Sequence, residues 1–495
     1  MVGATAEKRR KDEAWLPEII QGGMGVGVSG WRLARAVAQA GQLGVVSGVA
    51  LDALLARRLQ RGDEGGHLRR ALSHFPVPEV ADRILRRYFV AGGIDPGQPF
   101  RPVPRAGLPI RHANQLLTVV ANFVEVFLAR QGHDGLVGVN YLEKIQLSTP
   151  ASVYGAMLAG VDYVLMGAGI PAEIPGLLDR LAGHEPVRLT VSVEGAPAGE
   201  RHTVDLDPAE LLGAVTAPLK RPRFLAIVST HVLAAYLARD PVTRPDGFVI
   251  ETPVAGGHSA PPRGPLTLDA NDEPVYGPRD EPDLAKASGV GLPFWLAGGY
   301  GTPERLAAAR SAGAAGIQVG TAFALCRESG LDPTLRRRML ADARAGTLAV
   351  RNDAYASPTG FPFKMVELPE TVADEAVHAA RPRHCDLGYL RATYLRANGR
   401  VGYRCPAEPV DEYLAKGGHL DEAASCRCLC NGLLATIGLG QHRADGYAEP
   451  AFVTLGQNLG FLADLPPAMR GEYGAADLIG YLRAGPPDER ARPGS

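Results

Sequence analysis

The sequence lacks three features that would assign it to a special class of protein. It has no stretch of about 18 uninterrupted apolar residues, which argues against a membrane span. Its formal net charge of -1 provides no positive excess that would attract nucleic acid or a membrane surface. No cysteine precedes Cys326, so the six cysteines are not spread as in a secreted disulfide scaffold. A small-molecule substrate is therefore the expected partner, with no nucleic acid and no membrane.

Residues 1–16 are rich in charge, and no apolar stretch follows them. This pattern predicts neither a signal peptide nor a membrane anchor, because both need an apolar segment behind the charged start. We expect a flexible N-terminus and a cytoplasmic protein.

Short apolar runs alternate with helical patterns between residues 17 and 335. An extra hairpin is predicted at 187–193 and 202–206, and without it the predicted strands number eight: 18–21, 43–47, 135–141, 163–166, 224–229, 247–251, 294–297 and 316–319. Eight strands with helices between them predict an α/β fold, a TIM-like (β/α)₈ barrel.

Two segments do not fit the alternation of the barrel. Residues 51–112 are helical at first and then rich in proline, and they are too long for a simple connection. We interpret them as a helical insertion that forms a lid or an interface. Residues 336–495 are predicted to be a C-terminal extension, partly helical and containing cysteines.

Glycine clusters follow one predicted strand after another. They are QGGM at 21–24, MGAG at 166–169, AGGH at 255–258, LAGG at 296–299 and QVGT at 318–321. In a parallel barrel all strands point their C-terminal ends toward one face, so these clusters should line one bowl. Glycine allows backbone amides to approach a flat ring or a phosphate closely, which predicts a cofactor enzyme.

One motif favours a different fold. Gly25, Gly27 and Gly30 form a G-x-G-x-x-G pattern after a strand, and Asp52 follows the next strand where a ribose-binding acid of a dinucleotide fold would lie. The pattern is weak in a chain with 60 glycines. The sequence features typical of a phosphate-binding loop are also stronger near residue 300.

Those later signals come after the last two predicted strands. Thr302 and Pro303 have N-cap and first-turn character for a helix at 304–311, and 317–321 repeats the arrangement. Free amides at such helix starts form an anion site in many barrels. The alternative is two ordinary turns that contain glycine.

In their order along the chain, QGGMGVGVS, GVNYL, MGAGIP, AGGH, LAGGYGTPE and IQVGTAF resemble the FMN-dependent nitronate monooxygenases, once called 2-nitropropane dioxygenases. Enoyl-acyl-carrier-protein reductases that use FMN are close relatives. The resemblance covers residues 17–329 and implies a barrel with FMN at its C-terminal mouth. The cofactor-binding residues that it implies are Gly22, Gly23, Met24, Asn140, Gly167, Ala168, Gly169, Gly257, Gly298, Gly299, Gln318, Gly320 and Thr321.

His258 corresponds to the active-site histidine of that family. A histidine at a strand end can hydrogen-bond a nitro or carbonyl oxygen, or move a proton near neutral pH. The alternative is a structural histidine, and the preceding pair Gly256 and Gly257 favours the catalytic role.

The segment after His258 departs from the family pattern. It is long and rich in proline, and its Arg263 and Arg279 either meet an anionic substrate or phosphopantetheine, or lie in solvent. This departure leaves the substrate open.

Five cysteines lie close together in the last quarter of the chain. Cys426, Cys428 and Cys430 form C-x-C-x-C, which with Cys385 or Cys405 could supply four thiolates to zinc. The spacing is not the usual C-x₂-C, so we expect buried free thiols and no metal.

Two enzymatic functions fit these observations. The first is FMN-dependent oxidation of an alkyl nitronate or a related carbanion with O₂. The second is NAD(P)H-dependent reduction of an enoyl thioester, with an acyl carrier protein as a partner. A flavoprotein that only binds FMN is a third reading, which nothing in the chain requires. A homo-oligomer is expected in each case.

Overall fold

The computed structural model describes residues 16–213 and 217–485. The expectation of a flexible N-terminus at 1–16 therefore concerns residues that, apart from Leu16, lie outside the described part. Among the helices of the described ranges, none combines the length and the apolar character that a membrane span requires.

Fourteen strands are present in the described residues. They are β1 (Ile19–Gln21), β2 (Leu43–Ser47), β3 (Val137–Leu142), β4 (Tyr163–Gly167), β5 (Val187–Val191), β6 (His202–Leu206), β7 (Arg223–Val228), β8 (Gly247–Glu251), β9 (Phe294–Ala297), β10 (Gly316–Val319), β11 (Val350–Asp353), β12 (Phe363–Val366), β13 (Ala392–Leu395) and β14 (Val401–Arg404).

Eight of these strands close into a parallel barrel in the order β1-β10-β9-β8-β7-β4-β3-β2. Ile20 on β1 pairs with Gln318 on one side and with Leu43 on the other, which completes the ring. The barrel predicted from the sequence is confirmed, and its eight strands are those that the apolar runs indicated. The predicted extra hairpin is the antiparallel pair of β5 and β6.

The inside of the barrel is filled by one face of the strands. Because side chains alternate along a strand, the residues that share this inner cluster are spaced by two: Ile20, Leu43, Val45, Tyr163, Leu165, Leu225, Val249, Trp295 and Ala297. Trp295 donates its Nε1 hydrogen to the carbonyl of Pro17 at 2.7 Å, so this polar group is satisfied inside the barrel. Burial of each large apolar side chain contributes about 1.5–3 kcal/mol to stability. The filled interior therefore stabilises the barrel that carries the mouth.

Helices surround the barrel and continue into the regions outside it. The α-helices of the described residues are Trp31–Gln39, Leu51–Gln60, His67–Leu72, Pro78–Tyr88, His112–Arg130, Thr149–Leu158, Ile174–Ala182, Pro208–Leu212, His231–Arg239, Leu284–Ser288, Pro303–Ser311, Thr321–Ala324, Pro333–Ala345, Glu375–Ala380, Val410–Ala415, Leu420–Ser425, Leu429–Ala435, Phe461–Asp464 and Ala475–Arg483. Short 3₁₀ turns lie at Glu64–Gly66, Gln146–Ser148 and Pro467–Met469.

The segment 51–112 begins with three helices and ends without regular structure. Arg57, on its first helix, donates to the carbonyl of Leu439 at 2.6 Å, and Gln441 receives the backbone N–H of Phe100 at 2.8 Å. The insertion therefore packs against the C-terminal region.

The C-terminal region returns to the mouth of the barrel. The backbone N–H of Lys364 on β12 donates to the carbonyl of Gly257 at 3.0 Å, just beyond the end of β8. The hydroxyl of Thr454 receives the N–H of Gly257 at 3.0 Å. These bonds place C-terminal side chains beside the ends of the barrel strands.

Candidate active site

A cavity of about 350 Å³ opens at the mouth of the barrel, where β1, β9 and β10 end. Its wall includes many of the residues that the sequence assigned to a cofactor: Gly22, Gly23, Met24, Gly257, Gly298, Gly299, Gln318, Gly320 and Thr321. The C-terminal region supplies the opposite wall through Thr454, Leu455, Gly456, Asn458 and Phe461. We call this space the glycine cavity.

Two glycines in its wall are required by the geometry. Gly298 has a φ of +86°, and a Cβ atom there would lie 2.2 Å from Oγ1 of Thr252. A Cβ atom on Gly23 would lie 2.4 Å from Cβ of Asn140. No larger residue fits at either point without a shift of its neighbours, so the cavity depends on both.

The loop Gly298–Gly301 leads into the nine-residue helix Pro303–Ser311. The hydroxyl of Thr302 caps this helix by receiving the N–H of Arg305 at 3.3 Å. Thr302, Arg305 and the glycines of the loop all line the glycine cavity, so the helix begins at its edge. This arrangement suits an anionic group, since a helix start carries free amides and partial positive charge.

Two polar side chains of β10 and its loop lie in the same wall. Thr321 receives the backbone N–H of Gly456 at 2.8 Å, so its own hydroxyl hydrogen is what remains for another acceptor. Gln318 is buried, and its Oε1 atom has no hydrogen-bond partner within the described residues. A buried acceptor without a donor indicates a missing ligand group or water.

A second cavity of about 250 Å³ adjoins the first. Predicted residues His258, Ala168 and Gly169 lie in its wall, and apolar contacts come from Ile170, Ile227, Leu233 and Phe361. We call it the histidine cavity. Glu251, the last residue of β8, lines both cavities.

Two predicted cofactor residues line neither cavity. Asn140 lies directly behind Gly23, against which it packs. Gly167 lies under Ile227, since a Cβ atom there would approach Cβ of Ile227 to 3.0 Å. The structure thus divides the predicted residues between two adjoining spaces and a supporting layer.

His258 is held by residues of the C-terminal region. Its Nε2 lies 2.7 Å from Oγ of Ser357, and its ring meets the ring of Phe363 edge to face at 4.7 Å between centroids. The ring is partly accessible from the histidine cavity and enclosed by protein elsewhere. Burial, together with the positive charge of Lys364, lowers the pKa of His258 to about 3. The imidazole is therefore neutral near pH 7.

Glu251 and Lys364 are ionisable groups that sequence reasoning did not select. Burial raises the pKa of Glu251 to about 7, an effect that the charge of Lys364 opposes. Burial lowers the pKa of Lys364 to about 8. Two features of the sequence could have pointed to them. Glu251 stands at the end of a predicted strand, and Lys364 ends the segment SPTGFPFK at 357–364.

The alternative dinucleotide motif has a different role. Gly25, Gly27 and Gly30 belong to the first loop of the closed barrel, which is not a dinucleotide-binding sheet. Asp52 is buried in the helix Leu51–Gln60 and receives the hydroxyl of Tyr389 at 2.5 Å. Its carboxylate therefore serves the packing of the insertion on the C-terminal region.

The two arginines after His258 differ in position. Arg263 is exposed and lies in the wall of the histidine cavity, whereas Arg279 is exposed and lines neither cavity.

The six cysteines are free thiols. Cys405, Cys426 and Cys428 pack together with Ala407 in a small buried cluster. Burial raises the pKa of the Cys426 thiol to about 12 and that of Cys430 to about 11. Within residues 16–213 and 217–485, no group of three or more possible ligands is placed to hold a metal ion.

Residues 219–379 match the model of the family described as nitronate monooxygenase. A nitronate monooxygenase of Paraburkholderia phytofirmans is 32% identical over 183 residues, which are 37% of this chain and 46% of that protein. The (3aS,4S,5R,7aS)-5-hydroxy-7a-methyl-1-oxo-octahydro-1H-indene-4-carboxyl-CoA dehydrogenase of Mycobacterium tuberculosis is 25% identical over 332 residues, 63% of this chain and 86% of that protein.

Two solved structures were also similar. FabK from Thermotoga maritima aligns with a TM-score of 0.45 and 16% identity, covering 96% of this chain and 94% of that one. Nitroalkane oxidase from Streptomyces ansochromogenes aligns with a TM-score of 0.40 and 17% identity, covering 95% of this chain and 96% of that one.

Proposed function

Residues 219–379 match the nitronate monooxygenase family, and on this premise we propose that the protein is an FMN-dependent oxidoreductase which oxidises an alkyl nitronate or a related small carbanion with O₂. The observation that carries the proposal is the pair of adjoining cavities at the barrel mouth. One is lined by glycines, and the other contains His258.

The residues of the glycine cavity fit FMN. Gly22 and Gly23 offer a surface without side chains against which a flat ring can lie. The loop Gly298–Gly301 and the start of the helix Pro303–Ser311 offer amides for one phosphate. The free Oε1 of Gln318 is an acceptor that a ring N–H can satisfy.

Bound FMN would supply the electron acceptor for the carbanion and the reductant for O₂. The chain's own part is to bind and orient the substrate in the histidine cavity. Ile170, Ile227, Leu233 and Phe361 give this space an apolar wall that suits a short alkyl chain.

His258 is suited to hold an oxygen atom of the substrate. When Ser357 donates its hydroxyl hydrogen to Nε2, the neutral ring carries its own hydrogen on Nδ1. That hydrogen can be donated to a nitro or carbonyl oxygen. Because its pKa is lowered to about 3, the imidazole is a weak base, so orientation of the substrate is favoured over proton abstraction.

A second candidate function is the reduction of an enoyl thioester. It is favoured by the relative in Mycobacterium tuberculosis, whose name specifies a carboxyl-CoA dehydrogenase. The exposed Arg263 at the histidine cavity provides a positive charge for the phosphates of such a substrate. This function would need NAD(P)H, and an acyl carrier protein or coenzyme A would present the acyl group.

Anaerobic mixing separates the two candidates. The purified yellow protein is mixed with ethyl nitronate or, separately, with NADPH, and the absorbance of the oxidised flavin is followed. Rapid bleaching by the nitronate supports the first function, and rapid bleaching by NADPH alone supports the second. Free FMN at the same concentration is the control, and bleaching no faster than this control by either donor contradicts both.

A further inference from the structure

Glu251 occupies a distinctive place among the described residues, since it is the one that lines both cavities. It ends β8, seven positions before His258 in the chain. A carboxylate at this junction would face a substrate in the histidine cavity and a ring in the glycine cavity together.

Lys364 comes from the C-terminal region, and its charge acts on both Glu251 and His258. Its side chain is 0% exposed, and its Nζ atom has no hydrogen-bond partner within the described residues. The strand that carries it is fixed to the loop after β8 by the antiparallel bridge between Phe363 and His258. Its two bonds run from the N–H of Lys364 to the carbonyl of Gly257 and from the N–H of Ser259 to the carbonyl of Pro362, each at 3.0 Å.

A buried ammonium group requires a compensating negative charge. Glu251 and Glu273 are the two carboxylates whose charges act on Lys364. Glu273 already accepts a hydrogen bond from Nε2 of Gln457 at 2.7 Å, and it is partly exposed. Of these two carboxylates, Glu251 has the larger effect on the pKa of Lys364.

We infer that Glu251 accepts the proton of the substrate and that Lys364 is a positioning residue that keeps this carboxylate ionised; the inference rests on the proposed function. In the step itself, the C–H bond next to the nitro group breaks and an O–H bond forms on Glu251. The electron pair stays on the substrate and spreads onto its nitro oxygens. The enzyme would thus accept a neutral nitroalkane as well as a preformed nitronate.

The charges around the junction set the direction of the pH dependence. The ionisable groups that line the two cavities are Glu251, His258, Arg263, Tyr276, Asp280, Tyr300, Arg305 and Asp464. The charge of Lys364 acts on Glu251 and His258, and the charge of Glu273 acts on Lys364. Burial brings the pKa of Glu251 to about 7, so near neutral pH it can both accept and release a proton, whereas His258 is a much weaker base. Below this pKa Glu251 is protonated and cannot act as the acceptor. Removing the charge of Lys364 raises the pKa of Glu251 further, so the acidic limb of the rate profile moves to higher pH.

The first test measures the titration of Glu251 without turnover. The full-length protein is labelled with ¹³C at the glutamate carboxyl carbons, and the resonance absent from Glu251→Gln is followed against pH. We expect a midpoint near pH 7, a higher midpoint in Lys364→Met and a restored one in Lys364→Arg. Lys144→Met is the matched control, because Lys144 lies 5.3 Å from the ring of Phe361, which lines the histidine cavity, and its charge is not a cause of the Glu251 shift.

The second test uses nitroethane as the neutral substrate and ethyl nitronate as the preformed anion. Glu251→Gln should lose at least about tenfold in turnover of nitroethane and much less with the nitronate. In Lys364→Met, a rise of about one unit in the midpoint of Glu251 from about pH 7 would lower its ionised fraction at pH 7 from about one half to about one tenth. We therefore expect about a fivefold loss of turnover at pH 7 that recovers at higher pH.

The outcomes separate this inference from the proposed function. A Glu251 midpoint at the ordinary glutamate value, or one unchanged in Lys364→Met, overturns the inference whether or not any substrate reacts. Should Lys364→Met fail to fold, Lys364→Gln, which also removes the charge, is measured in its place, and an unchanged midpoint there overturns the inference equally. Absence of turnover with both substrates beside a midpoint that responds to Lys364 would contradict the nitronate function alone.

Discussion

Nε2 of His258 lies 2.7 Å from Oγ of Ser357, a residue 99 positions later in the chain. Ser357 in turn lies 2.8 Å from Oγ1 of Thr359, so the histidine is oriented by a small hydroxyl network of the C-terminal region. The barrel supplies the histidine, and the extension determines which way its ring faces. The two parts of the chain therefore form one site.

The released cofactor is expected to be FMN. We propose that the loop Gly298–Gly301 of the glycine cavity holds one phosphate, and FMN carries one phosphate where FAD carries two. Mass spectrometry after denaturation of the yellow protein tests this. Recovery of FAD, or no flavin after reconstitution, would contradict it.

Replacement of His258 by Ala should lower turnover by about 10²- to 10³-fold, the usual loss when one hydrogen-bond donor to a developing negative charge is removed. Flavin content should stay nearly unchanged, because His258 lines the histidine cavity and not the glycine cavity. Ser357→Ala should give a smaller loss, since it removes only the group that orients the ring. Equal rates for His258→Ala and the parent would make the histidine structural.

Gly299 and Gly291 form a matched pair for testing the phosphate site. Their φ values are +76° and +77°, but a Cβ on Gly299 would lie 3.0 Å from Nδ2 of Asn458, whereas Gly291 has nothing within 4 Å. Substitution by Val should destabilise both variants by at least about 1 kcal/mol, the cost of a left-handed backbone. Only Gly299→Val should bind FMN more weakly in a fluorescence titration. Equal FMN affinity in the two variants would place the phosphate elsewhere.

The ion pair of Arg381 and Glu449 should stabilise the C-terminal region. Their side chains are 3% and 0% exposed, and the N–O distance is 2.6 Å. Arg381→Met leaves the buried carboxylate of Glu449 without its ionic partner. The free energy of unfolding, measured with urea, should therefore fall by about 3–5 kcal/mol. The exposed pair Arg188 and Asp205 is the control, and Arg188→Met should change the midpoint little. Similar midpoints for both variants would contradict this role.

The cysteines should behave as buried thiols without metal. Burial raises the pKa values of Cys426 and Cys430 to about 12 and 11, so few thiolates form at pH 8. A thiol reagent should react slowly with these groups in the folded protein, and all six cysteines should react after denaturation. Elemental analysis showing about one zinc per chain would refute the prediction and make Cys405, Cys428 and Cys430 the first ligands to test.

The barrel itself was predictable from the sequence because its signals are local. Each strand is a short apolar run, as in Leu43–Ser47 or Gly247–Glu251, followed by glycine or a polar residue where the chain turns. The backbone repeats every two residues in strands and every 3.6 in helices, so residue patterns alone identify such elements. The glycines at the strand ends likewise indicated where the mouth of the barrel lies.

The composition of the site depended on tertiary packing. Local patterns predicted that His258 and the glycine clusters follow strand ends. They did not indicate that these residues divide between two cavities joined at Glu251. Ser357 reaches His258, and the charge of Lys364 acts on Glu251, because the segment that leads into β12 pairs with the loop after β8. No periodicity along the chain encodes that pairing, since it arises from how the C-terminal region buries its apolar surface against the barrel. Burial, and after it the charge of Lys364, shifts the pKa values of Glu251 and His258. Both causes come from this packing, so the tertiary structure decided them and the sequence pattern did not.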